Sequence, residues 1–124
     1  MSKVEYVTGL YASPDALFAA MHPQVVWIES AGVAYGGTYN GPEEVGEKVF
    51  ARLGADWDGF RADPETVIEQ GDVVVALGTY SGTSTATGRP FTARFTHWYW
   101  LDGDDRITRF EQVVDSATMN AASA

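Results

Sequence analysis

The 124-residue sequence contains no cysteine. That absence removes disulfide frameworks, thiolate zinc sites and thiol nucleophiles together. Cations are scarce as well: eight Lys and Arg stand against seventeen Asp and Glu, for a formal net charge of −9. A chain so acidic, with its cations scattered, repels phosphate backbones and anionic lipid surfaces, so neither nucleic acid nor membrane is an expected partner. No apolar run approaches the ~20 residues of a membrane span. The opening MSKVEYVTG lacks both the apolar core and the basic flank of a secretory leader, which makes the cytoplasm the expected address. With only two histidines, His22 and His97, far apart in the chain, no metal site is expected. Gly-x-Gly-x-x-Gly, Gly-x-x-x-x-Gly-Lys-Ser/Thr and Gly-x-Ser-x-Gly are all missing, and cofactor-free chemistry is the expectation.

What is present reads as one domain over residues 1–124, of a size that buries a core without covalent help. Its punctuation changes once, from helical to strand-like. Val4, Val7, Leu10 and Tyr11 fall at helical spacing, and Ser13-Pro14-Asp15 reads as an N-cap, a first-turn proline and a first-turn acid. This second helix should stop at His22-Pro23, because the residue before a proline is pushed out of the α region. Residues 25–30 alternate as a strand, with Val25, Trp27 and Glu29 on one face. AGVAYGGTYNG has the content of a loop. Gly41-Pro42-Glu43-Glu44 starts a third helix, striped by Val45, Val49 and Leu53, with Gly54 as its terminator.

Residues 59–69, 72–82, 90–101 and 106–116 read as strands joined by tight turns. The expected fold class is α+β: a strongly bent antiparallel sheet wrapped over N-terminal helices around an internal pocket. Such long strands must twist and bend, most cheaply at Gly78 and Gly82. On residues 90–101, Phe95, His97, Tyr99 and Leu101 share one face while Arg94, Thr96, Trp98 and Trp100 share the other. A sheet backed by helices should turn a polar face outward, so Trp98 and Trp100 predict a homodimer through that outer face. The competing reading is that the sheet's own curl or the C-terminal segment covers them.

The order of elements, with LYASPDALFAAMHPQVVWIESAG, GGTYNGPEEV, DWDGF, GDVVVALGTYSGT and ATGRPFTARFTHWYWLDGDDRITRFEQVVDSA, resembles the SnoaL-like, ketosteroid-isomerase-related branch of the nuclear-transport-factor-2-like superfamily. The resemblance runs from about Leu10 to Ala117. It implies a cystatin-like α+β cone with a deep pocket at its open end. It leaves the chemistry open among isomerases, polyketide cyclases, lyases, epoxide hydrolases and members without catalysis.

The choice then rests on polar residues that sit where apolar ones are expected. Glu29 lies beside Trp27 and resembles the catalytic carboxylate of ketosteroid-isomerase-type domains. Buried there its pKa would rise, fitting it to take a proton from a carbon next to a carbonyl. A solvated or arginine-paired strand-end carboxylate is the alternative. His97, flanked by Phe95 and Tyr99, is the expected partner, polarising a carbonyl or relaying a proton to Glu29. A satisfied core histidine is the competing view. Gln112 stands where cyclases of this family often carry an acid, and as an amide it can only orient a ligand oxygen or bridge the sheet. Tyr11, Trp27, Tyr39, Phe50, Trp57, Phe60 and Tyr99 are the expected walls for a small, apolar, cyclic ligand.

The expected activity is therefore a cofactor-independent isomerase, cyclase or lyase using acid–base chemistry on a small cyclic carbonyl compound. A non-catalytic binding or assembly domain is the alternative. An epoxide hydrolase is a third reading, although its Asp-Arg-Asp set has no evident counterpart.

Overall fold

The computed structural model describes residues 1–124. Helix α1 (Lys3–Gly9) is opened by a capping box, in which the Ser2 hydroxyl accepts from the Glu5 N–H and the Glu5 carboxylate reaches back to the Ser2 N–H. A 3₁₀ turn, Leu10–Ala12, carries Tyr11 inward and leads to Ser13, whose hydroxyl accepts from the Ala16 N–H and caps α2 (Pro14–Ala20). Further on, α3 (Pro42–Val45), a π-helical turn (Gly46–Phe50) and α4 (Ala51–Asp56) run on as one rod. The i→i+5 bonding of the π turn widens it, so that Phe50 comes round beneath Val45. There it meets Phe18 and Trp27 with ring centroids 5.1 and 5.8 Å away.

Six strands form one sheet: β1 (Met21–Glu29), β2 (Gly37–Asn40), β3 (Trp57–Gln70), β4 (Val73–Ser84), β5 (Pro90–Leu101) and β6 (Ile107–Val114). They lie in the order β2-β1-β6-β5-β4-β3. Every neighbouring pair is antiparallel except β1 and β6, which run parallel. The sheet bends at Gly78, where a Cβ would stand 2.3 Å from the Asp63 carbonyl oxygen and 2.6 Å from the Phe95 ring. Only glycine lets β3 and the inner face of β5 approach so closely, and the β3–β4 register shifts at the same level, between Pro64 and Thr66.

Two apolar clusters fill the concave side. One gathers Val7, Val25, Trp27, Val45, Ile107 and Phe110 under the N-terminal helices. The other gathers Tyr35, Trp57, Phe91, Phe95 and Met119 at the opposite end. No helix is long and apolar enough to cross a membrane.

The structure departs from the sequence-based expectations at five places. Within the sheet expected to be antiparallel, β1 and β6 pair in parallel, because the chain between them crosses over rather than turning back as a hairpin. The first strand begins at Met21, before His22-Pro23, and Pro23 sits where the β1–β6 register shifts, since proline cannot donate to the ladder. Part of AGVAYGGTYNG is the edge strand β2 rather than loop. The rod continues past Gly54 to Asp56. The last strand stops at Val114, and Asp115 caps a further helix, α5 (Ser116–Ser123), by accepting from the Thr118 N–H.

Candidate functional site: a buried carboxylate and a tyrosine–histidine chain

A cavity of about 500 Å³ opens between the helices and the concave sheet. Leu10, Tyr11, Leu17, Val49, Phe50 and Leu53 line it from the helical side, and Trp27, Glu29, Phe60, Tyr80, His97, Tyr99, Phe110 and Gln112 from the sheet. An exposed ion pair, Arg61 to Asp63 at 2.9 Å, stands at its edge.

Glu29 ends β1 with its side chain on the inner face, only 5% exposed. The Trp27 indole N–H, two residues earlier on the same face, donates to Glu29 Oε2 at 2.9 Å. No ion pair includes this carboxylate. Burial pushes its pKa up to about 7, against a smaller opposing pull from the Trp27 and Gln112 hydrogen bonds. The solvated or arginine-paired alternative does not describe this group.

Gln112 reaches the same place through the parallel β1–β6 pairing, which sets Trp27 beside Phe110 and Ile28 beside Glu111. The two aromatic rings stack at 3.7 Å. The Ser30 backbone N–H donates to Gln112 Oε1 at 3.2 Å, so the amide nitrogen must point the other way, and it donates to the Tyr80 hydroxyl at 2.8 Å.

From Tyr80 a hydrogen-bonded chain continues across the inner face. The Tyr80 hydroxyl meets His97 Nε2. The Tyr11 hydroxyl meets His97 Nδ1 at 2.6 Å, and the Tyr99 hydroxyl donates to that of Tyr11 at 2.9 Å. Phe95 stacks on the imidazole with centroids 4.0 Å apart. Burial lowers the His97 pKa to about 3, so the ring is neutral, and burial raises the pKa values of Tyr11, Tyr80 and Tyr99.

Two expectations about His97 change. Both ring nitrogens are occupied, so the imidazole cannot itself reach a ligand carbonyl. The hydrogen-bonded side-chain path from His97 towards Glu29 also runs through the Gln112 amide, which has no exchangeable acid proton to relay.

Of the other expected residues, Tyr11, Trp27, Phe50, Phe60, Tyr99 and Gln112 border the cavity, whereas Tyr39 and Trp57 do not. Tyr39 lies on β2 with its hydroxyl donating to the Tyr35 carbonyl oxygen at 2.6 Å. Trp57 opens β3 opposite Ser84, at the far end of the sheet, where it borders a separate cavity of about 210 Å³. The residue that sequence reasoning passed over is Tyr80. Its signal was alternation along β4, where Val74, Ala76 and Tyr80 are buried and turned the same way as His97.

A bent sheet folded over N-terminal helices, with one carboxylate and a tyrosine–histidine chain in its hollow, defines a nuclear-transport-factor-2-like cone. Residues 11–110 match the SnoaL-like domain, and the chain belongs to that family. It is similar to a nuclear-transport-factor-2-like protein of Burkholderia thailandensis, at 33% identity and a TM-score of 0.93 over 100% of this chain and 98% of that one. TerC, crystallised with polyporic acid, is 28% identical with a TM-score of 0.85, over 98% of this chain and 97% of its own. A protein of Catenulispora acidiphila with a ketosteroid-isomerase-like fold, in complex with trimethylamine, shares the fold. It is 21% identical with a TM-score of 0.80, over 98% and 92% of the two chains. No curated protein matches in sequence.

Proposed function

We propose that this chain, as a single domain, is a cofactor-independent isomerase, cyclase or lyase acting by general acid–base catalysis on a small, cyclic, mostly apolar carbonyl compound. The observation that carries this reading is Glu29: a carboxylate without a cation, buried in the wall of an apolar cavity, with its pKa at about 7. A base so tuned is half ionised near neutrality, where removing and returning a proton are both feasible. Glu29 takes the proton from a carbon beside the carbonyl, the C–H electron pair moves into the ring, and the carbonyl oxygen becomes an enolate oxygen. The protonated carboxyl then returns the proton at another carbon. Trp27 holds the carboxylate in place, and the aromatic walls suit a flat ring. A family relative crystallised with polyporic acid supports a small-molecule ligand. The amide at Gln112 leaves Glu29 as the base, since no second acid stands there.

NMR titration of Glu29, with Glu29→Gln as the control, tests this reading alongside deuterium uptake into β-tetralone in D₂O. A pKa near 7 and uptake that the variant loses are expected. An ordinary carboxylate pKa without uptake would overturn catalysis and leave a binding domain.

We further propose that the outer sheet face meets a second copy of the chain. Ile68, Leu77, Trp98 and Val113 are exposed there, Trp98 by 39%. They sit on neighbouring strands, with Ile68 beside Val75, Val75 beside Trp98, and Leu77 beside Thr96, which in turn pairs with Val113. Trp98 and Trp100 stack at 6.3 Å, and neither the sheet's curl nor α5 covers Trp98. The exposed pairs Arg94–Glu65 and Arg109–Glu111 flank this apolar stripe, as polar groups rim a dimer core. Sedimentation should give twice the chain mass for the wild type and one chain mass for Trp98→Glu; a monomeric wild type refutes the dimer.

A further inference from the structure

The second cavity, of about 210 Å³, lies apart from the one that holds Glu29, and no residue lines both. Four segments meet around it: residues 33–35 before β2, Asp56 and Trp57 at the junction of α4 with β3, residues 84–86 where β4 ends, and α5 through Met119, Asn120 and Ser123. Its walls are tied in place. The Asn120 side-chain amide donates to the Gly32 carbonyl oxygen at 2.7 Å, and the Thr87 hydroxyl and Arg89 Nε both donate to that of Ala122, at 2.5 and 3.3 Å. With α5 pinned in this way across the end of the sheet, a hollow persists where interiors rarely leave a void larger than a water.

The buried polar group of this lining is Ser84. It shares the inner face of β4 with Tyr80, pairs with Trp57 across the β3–β4 ladder, and is 2% exposed. Its oxygen accepts from the Thr87 N–H at 3.4 Å, as a serine opening a turn does, but its hydrogen goes to no acceptor in the chain. A buried hydroxyl hydrogen without an acceptor is costly, so this one calls for an oxygen inside the cavity. At the surface the requirement is reversed. The Asp56 carboxylate takes the Tyr35 hydroxyl on Oδ2 at 2.7 Å and leaves Oδ1 without a partner. Asp56 is the only charged side chain in the lining. It does not call for a cation, because Arg52 stands one turn earlier on the same rod, over the Tyr35 ring, and Arg89 holds the end of α5. A hydroxyl donor satisfies it through a charge-assisted hydrogen bond. The apolar part of the lining is the Trp57 indole, the Met119 thioether and Val33, all buried.

We propose that this second cavity binds a small neutral ring bearing two hydroxyl groups, with one oxygen accepting from Ser84, the other hydroxyl donating to Asp56, and the ring held against Trp57 and Met119. An apolar cavity of about 150 Å³ takes benzene, so the space here suits one ring with two short substituents. The site is independent of the chemistry proposed for Glu29, since the two cavities share no residue.

Resorcinol is the probe and the Met119 methyl group the reporter, in protein carbon-13 labelled at its three methionine methyls, with Met119→Leu assigning the signal. A saturable shift of that signal is expected. Ser84→Ala should weaken resorcinol about five- to tenfold, and Asp56→Asn, which puts a donor where an acceptor is needed, at least about tenfold. Toluene, which keeps the ring and lacks the hydroxyls, should also bind at least about tenfold more weakly than resorcinol. Glu29→Gln should leave the Met119 response unaltered, which separates failure of this proposal from failure of Glu29 as the base. A Met119 methyl that does not move at millimolar resorcinol means that water alone fills the cavity, and overturns the proposal. Equal binding of toluene, or equal binding of resorcinol by Ser84→Ala, overturns it as well. So does a response that disappears in Glu29→Gln, which would put the ring in the other cavity. If Ser84→Ala does not fold, Asp56→Asn and the toluene comparison decide.

Discussion

Two tyrosine-centred polar clusters lie at opposite ends of the same concave sheet. At the closed end the Tyr35 hydroxyl donates to Asp56 Oδ2 at 2.7 Å and accepts from the Trp57 indole N–H at 3.2 Å, while the Arg52 guanidinium lies 4.7 Å from the ring centre. The Tyr35 and Trp57 hydrogens both have acceptors within the protein, and the carboxylate is at the surface. At the open end the chain from Tyr99 to Gln112 lines the larger cavity, and its neighbouring carboxylate is buried. The residue types are much the same. The Tyr35 cluster borders the smaller cavity with its carboxylate at the surface, whereas the other lines the larger cavity beside a buried carboxylate.

If that distinction holds, substitutions at the two ends should separate into losses of activity and losses of stability. The largest effect should come from Glu29→Gln, which is expected to slow β-tetralone exchange by about 10² to 10⁴ while circular dichroism stays unchanged. Next is the pH dependence of stability. Folded Glu29 holds its proton up to about pH 7, against an ordinary value of 4.5, so its contribution is complete below 4.5 and fades as the pH rises through 7. Urea melts should show the wild type losing about 3 kcal/mol relative to Glu29→Gln across that window; parallel curves would mean the carboxylate is solvated. At the closed end, Tyr35→Phe strands the Trp57 N–H and should cost about 2 kcal/mol without moving the Glu29 pKa. A shift of that pKa would show that the two ends are coupled. Smallest is Arg52→Ala, which loses the stacking on Tyr35 and a 3.3 Å hydrogen bond to the Ala34 carbonyl oxygen. It should cost about 0.5–1 kcal/mol, and exchange activity should be unaffected.

Local chemistry was legible in the sequence where a residue's own backbone requirement sets the structure. Ser13-Pro14 and Gly41-Pro42 announce their helices because a cap and a first-turn proline act within one turn. The long strands announce themselves by alternation. What depends on distant partners was not legible. Gly37–Asn40 becomes a strand only because β1 supplies an edge, and its four residues are too few to carry an alternation of their own. Helix α5 is built from small residues, and of its side chains only Met119 and Ala122 are buried. The same limit applies at the site. Glu29 and His97 stood out as polar residues among apolar neighbours, but that His97 is enclosed by two tyrosines follows from pairing β4 and β5 and from the placement of the 3₁₀ turn. Trp57 looked like a wall residue because aromatic content says nothing about which end of a strand it will occupy.

The parallel pairing of β1 with β6 also constrains how the protein is made. Ser30 and Gln112 meet across 82 positions of chain, so β1 leaves the ribosome long before its central neighbour exists. During that interval β2 covers one edge of β1, the other edge is open, and the face carrying Val25, Trp27 and Glu29 is not yet enclosed. The hollow closes around Glu29 only when the final strand arrives. Until β6 (Ile107–Val114) has been made, β1 would therefore keep a sticky open strand edge, so the addition of this one strand both closes the hollow and removes an aggregation hazard.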